Sequence, residues 1–112
     1  MFSPKTVELL FLLAQKDVDV TLIRNSTTGE VYADLHSQAK SHLHLYERDG
    51  ELVFHMRYEM IESISLEEDV EALLWQAASC YAYRCICDRS FGSFAWDAIC
   101  AELDITVGYG SM

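Results

Sequence analysis

Four histidines, His36, His42, His44 and His55, are the side chains best suited to chemistry, and all lie in segments with a two-residue apolar period. His42-x-His44 puts two imidazoles on one face of one strand. Asp49-Gly50, set between two alternating segments, is the signature of a two-residue hairpin turn and fixes the register. Counting back from it pairs Arg48 with Glu51, Leu45 with Phe54 and His44 with His55, the last two about 5 Å apart between Cβ atoms. His42, His44 and His55, with an oxygen from Asp34 or Glu59, would then supply the three or four ligands that zinc takes at about 2.0–2.1 Å. The simpler expectation is that these residues populate the water-facing side of a half-exposed sheet, where a histidine cluster makes a pH-sensitive surface.

The cysteines Cys80, Cys85, Cys87 and Cys100 carry less. Cys85-x-Cys87 within a helix sends its sulfurs about 200° apart, and no Cys-x-x-Cys spacing occurs. They read as reduced thiols that behave as small hydrophobes in a cytoplasmic protein. There is no glycine-rich phosphate loop, no Gly-x-Ser-x-Gly elbow and no His-Glu-x-x-His helix. The expectation is a protein that is not an enzyme, with a metal-binding protein or metal-dependent enzyme built on His42, His44 and His55 as the alternative.

The elements that must position these side chains follow from periodicity. Ser3-Pro4 reads as an N-cap with proline at the first helical position, opening a helix over about Pro4 to Gln15 whose stripe is Val7, Leu10, Phe11 and Ala14, widened by Leu9, Leu12 and Leu13. A broad apolar face of this kind is expected to be buried on more than one side. Strands follow at Val18–Ile23, Val31–His36 and His42–Tyr46, and the unbroken alternation Leu52, Phe54, Met56, Tyr58, Met60 predicts a single fourth strand from Glu51 to about Met60. Ser65 and Glu68 fit a capping box that opens a long helix reaching about Cys87. Gly92 and Ser93 then mark a break and a new cap before a helix over Phe94–Leu103, and residues 105–112 read as an irregular tail. The order is α-β-β-β-β-α-α. It predicts one domain over residues 1–112, of α+β class, in which a four-stranded antiparallel meander carries its helices on one face as a two-layer sandwich.

With 112 residues, 51% of them hydrophobic, the chain is long enough to bury a core without a metal or disulfide staple. Its apolar runs are too short to span a bilayer. The formal net charge of −10, spread along the chain, opposes direct binding to nucleic acid or to an anionic membrane and favours a basic protein partner. In size and charge the chain is similar to phage-encoded inhibitors that mimic DNA and to immunity proteins that neutralise basic nuclease toxins. That similarity implies a small protein that occupies a basic groove; it assigns no residue.

Candidate partner contacts are Asp34, Glu51, Glu59, Glu67, Glu68, Asp69 and Glu71, with Trp75 as an apolar anchor. The long helix also carries a second stripe, Trp75, Ser79, Ala82 and Ile86, with Ala72 and Tyr83 beside it. It is expected foremost as core under the neighbouring helices, and otherwise as the face of a homodimer. A third expectation is a ligand pocket between sheet and helices lined by Phe54, Met56, Tyr58 and Tyr81.

Overall fold

The computed structural model describes residues 1–36, 43–56, 59–87 and 94–108. Its elements are α1 (Pro4–Gln15), β1 (Asp19–Arg24), β2 (Val31–His36), β3 (Leu43–Arg48), β4 (Glu51–Met56), β5 (Glu59–Ser65), α2 (Val70–Cys87) and α3 (Phe94–Glu102). The strands form one sheet in the order β1-β2-β3-β4-β5, every neighbouring pair antiparallel. The class is α+β and the sheet is a meander, but it has five strands where the sequence predicts four.

The extra strand has a simple origin. The predicted fourth strand ends at Met56, and the chain reverses so that Met56 lies opposite Glu59. A two-residue reversal inverts the apolar parity, so Met60, which the alternation counts as inward, instead pairs with outward-facing His55 and is 58% exposed; an apolar side chain at that water-facing position makes the hairpin read as one long strand. Along β5, Phe54 pairs with Glu62 but His55 with Met60, so a bulge passes over Ile61. The β3–β4 hairpin is as expected. Asp49 and Gly50 both have positive φ, 53° and 77°, as a type I′ turn requires, and Arg48, Leu45 and His44 face Glu51, Phe54 and His55.

One face of the sheet is the core. Ala33, Leu35, Leu43, Leu45, Leu52, Phe54 and Met56 are buried there with Leu9 and Leu13 of α1 and Leu73, Ala77 and Tyr81 of α2. Helix α1 is rotated from its predicted stripe: it buries Thr6, Leu9, Leu10 and Leu13, while Val7, Phe11 and Ala14 face outward. Leucines and phenylalanine occupy every position from 9 to 13, so several faces are equally apolar and packing against β1 and α2 selects one. Helix α3 docks through Trp96, whose ring stacks on Tyr81 with centroids 5.4 Å apart, and the Tyr81 hydroxyl donates to Asp97 Oδ1 at 2.6 Å.

Both predicted caps are corrected. The Ser3 side chain does not cap α1; its Oγ and its amide both donate to Glu47 Oε2, at 2.9 and 2.8 Å. Pro4 does open that helix. Ser65 ends β5 opposite Glu51, and the following amide of Leu66 donates to the Gly50 carbonyl at 2.9 Å, so the sheet holds Ser65 in extended backbone. The cap of α2 is Asp69, whose Oδ1 accepts the Ala72 amide at 2.8 Å. The tail is irregular over 105–108 yet tied down, with the Ile105 amide on the Cys100 carbonyl at 2.8 Å and Ile105 and Val107 packed on the core. The predicted break and cap at Gly92 and Ser93 lie outside the described residues. Among those residues, no helix is long and apolar enough to cross a membrane.

Candidate functional site

Two surfaces gather functional side chains, one on each side of the molecule. The first is the open face of the sheet. Pleating sends Tyr32, Asp34, His44, Tyr46, Arg48 and His55 away from the core, and register sets Asp34, His44 and His55 in one row across three strands. Asp34 Oδ1 lies 3.3 Å from His44 Nε2, and the Tyr32 ring tilts at 52° against the same imidazole with centroids 5.2 Å apart. His55 meets Tyr46 instead, 6.2 Å between centroids, while the Arg48 guanidinium lies 4.9 Å over the Tyr46 ring and 4.0 Å from Glu30. Asn25, Glu30 and Val31 close the end of a cleft of about 220 Å³ lined by these rings.

The cross-strand pair His44 and His55 stands as the hairpin register predicts. The third predicted zinc ligand, His42, lies outside the described residues, and Glu59 is described through its backbone alone. Among the described residues no three His, Cys, Asp or Glu side chains stand close enough to hold a metal ion. Asp34 acts here as the carboxylate that orients His44.

The second surface lies between the start of α1 and the start of α2. Glu8, Glu67, Asp69 and Glu71, with Pro4, Lys5 and Val70, line an open groove of about 680 Å³. Lys5 is the cation among them, and its Nζ donates to the Leu66 carbonyl at 2.7 Å. Glu67, Asp69 and Glu71 are exposed, as is Glu68 in the same segment. Their position is fixed from two sides, by the Leu66–Gly50 bond that ties this segment to the β3–β4 turn and by the Asp69 cap.

Of the predicted contact carboxylates, then, Glu67, Asp69 and Glu71 come together. Glu51 is exposed at the first position of β4, opposite Ser65. Asp34 belongs to the other face. Glu8 joins them although no local pattern marks it, because α1 packing against α2 brings it to the groove.

On α2 the second stripe divides. Trp75 is 50% exposed, one turn beyond Glu71, and Ile86 is 57% exposed, whereas Ala82 is buried and Ser79 half-buried. Trp75 is therefore not a core residue, which corrects the first expectation for this stripe; Tyr83, not Ala82, completes the exposed row. The helix turns Ala82 inward because α1 and α3 both pack on α2. Phe54, Met56 and Tyr81 are fully packed core side chains rather than pocket walls, and Tyr58 lies outside the described residues.

Cys80, Cys85 and Cys100 are buried and unbridged. Burial pushes the Cys80 thiol up to about 11, and burial reinforced by Asp97 pushes Cys100 up to about 12. Such thiols stay protonated at neutral pH and are poor nucleophiles. Comparison with protein-family models, with curated proteins and with solved structures found no match.

Proposed function

We propose that this chain is a non-catalytic binding protein that presents the α1–α2 groove to a basic partner and blocks it. The observation that carries the reading is the convergence of Glu8, Glu67, Asp69 and Glu71 on one groove whose cation, Lys5, is committed to a backbone carbonyl. Four carboxylates gathered on one groove offer a partner the same sign of charge that a phosphate backbone offers. The net charge of −10 extends that field and speeds encounter with a cationic surface. The positive end of the α2 dipole opposes it with about half an elementary charge, which four carboxylates outweigh. Trp75, half-exposed beside Glu71, supplies the apolar anchor that charge alone lacks. A partner fitting this surface is a nucleic-acid-processing enzyme or a nuclease toxin, whose substrate groove is basic by necessity.

The test is a comparison of two baits in host-type lysate treated with nuclease: the native chain, and a variant carrying Glu8→Gln, Glu67→Gln, Asp69→Asn and Glu71→Gln. Expected is a basic protein retained by the native chain at low salt, released at high salt, and not retained by the neutralised variant. Its association rate should fall steeply with ionic strength, because exposed charges are screened beyond about 8–10 Å at physiological salt. Equal retention by both baits, or an on-rate indifferent to salt, refutes the reading.

A further inference from the structure

The cleft on the open face of the sheet is separate from the acidic groove and has its own chemistry. Its walls are in place before any ligand arrives, since Asp34 holds His44, the Tyr32 ring lies against that imidazole, and Arg48 covers part of Tyr46. Its polar groups are largely unspent. Asn25 uses Oδ1 to accept the Thr27 and Thr28 amides, which leaves its amide hydrogens to donate. The hydroxyls of Tyr32 and Tyr46 bond to nothing among the described residues. Glu30 and Arg48 stand 4.0 Å apart, both more than half exposed, a loose pair that yields readily to a better partner.

Charge and size narrow the ligand. An anion must approach a chain of net charge −10 and displace Glu30. A cation meets the Arg48 guanidinium already lying over the Tyr46 ring. A neutral ligand is repelled by neither charge and gains from both members of the pair, one as acceptor and one as donor. The cleft, at about 220 Å³, is smaller than the ~300 Å³ at which pockets for drug-sized ligands begin, so it takes a single ring unit. Ring faces flanked by donors and acceptors suit a molecule with an apolar C–H face and hydroxyls at its rim. We infer that this cleft binds one neutral hydroxyl-bearing ring, a monosaccharide unit, stacked against Tyr32 and Tyr46 and read at its hydroxyls by Asn25, Glu30 and Arg48.

The experiment is an NMR titration of the full chain that follows the aromatic signals of Tyr32, Tyr46 and His55. D-glucose, D-galactose and N-acetyl-D-glucosamine are the probes, with benzoate and tetramethylammonium as charged comparisons. Expected is saturable movement of these signals with at least one sugar, weakened about tenfold by Tyr46→Ala and about tenfold by Arg48→Met, and unchanged by Trp75→Ala. Arg48 is exposed, so its variant folds whether or not the tyrosine variant does. No saturable movement with any sugar, movement only with a charged comparison, or sugar binding unaffected in Arg48→Met would overturn the inference. The acidic groove plays no part in this readout.

Discussion

Moving the α2 cap from Ser65 to Asp69 has a measurable consequence. In the structure Asp69 Oδ1 accepts the Ala72 amide at 2.8 Å, whereas Ser65 Oγ accepts only the Glu67 amide at 3.1 Å, ahead of the helix. Removing a true N-cap costs about 1 kcal/mol, so Asp69→Ala should lose that much. Asp69→Asn keeps the accepting oxygen and gives up only the carboxylate's attraction to the helix terminus, about 0.3–1 kcal/mol. Ser65→Ala gives up one exposed turn bond and should cost less than about 0.5 kcal/mol. Urea unfolding followed by far-UV circular dichroism separates the three. With a slope of about 1–3 kcal/mol per molar urea, Asp69→Ala should lower the midpoint by roughly 0.3–1 M at unchanged slope, Asp69→Asn by roughly a third to the whole of that shift, and Ser65→Ala by less than about half of it. A larger loss for Ser65→Ala than for Asp69→Ala would refute the placement of the cap. Asp69→Asn also removes one charge from the groove while preserving its frame, so reduced partner binding by a stable Asp69→Asn protein would assign that loss to charge rather than to unfolding.

Further expectations concern the α2–α3 contact and the buried thiols. Tyr81→Phe keeps the stack on Trp96 but removes the 2.6 Å bond to Asp97, and should cost about 1.5–3 kcal/mol by denaturant unfolding, the range for hydrogen bonds to charged groups; a cost under half a kcal/mol would count against that bond. Ser79 Oγ is buried without a hydrogen-bond partner among the described residues, so Ser79→Ala should be neutral or slightly stabilising in the same assay, where a clear destabilisation would reveal a bond to water. Cys80 and Cys100 titrate above 9.0 in the folded chain, at about 11 and 12, so the folded state keeps protons that the unfolded state releases. Their contribution to stability is fully present below pH 9 and is lost progressively as pH rises toward 12; Cys100→Ala should flatten that decline, and an unchanged slope would refute the assignment. At neutral pH both thiols should resist iodoacetamide in the native protein and react in urea.

Local chemistry wrote much of the sheet's interior and little of its extent. Asp49-Gly50 predicts the hairpin and, through it, the meeting of His44 with His55, because a two-residue turn leaves one register open and a slip would turn the apolar side outward. The α+β order and the core-facing sets Leu43, Leu45 and Leu52, Phe54, Met56 come from the same alternation. The fifth strand is not legible, since Met60, an exposed apolar residue opposite His55, continues the alternation of β4 past a reversal that in fact turns it to the other face. Nor is the face that α1 buries, where apolar residues run from position 9 to 13 and only the partner surface chooses among them.

The two candidate sites divide along the same line. The rings and charges of the open face can be listed strand by strand from the sequence, because each is sent outward by pleat and fixed opposite its neighbour by register. Their closing into a cleft at Asn25 and Glu30, and the binding of Arg48 over Tyr46 rather than to solvent, are properties of the assembled sheet. Composition fixed a strongly acidic chain. Only the packing of α1 on α2 placed Glu8 beside Glu67, Asp69 and Glu71, since charges far apart in sequence carry no mutual pattern until the apolar faces beneath them decide how two helices meet.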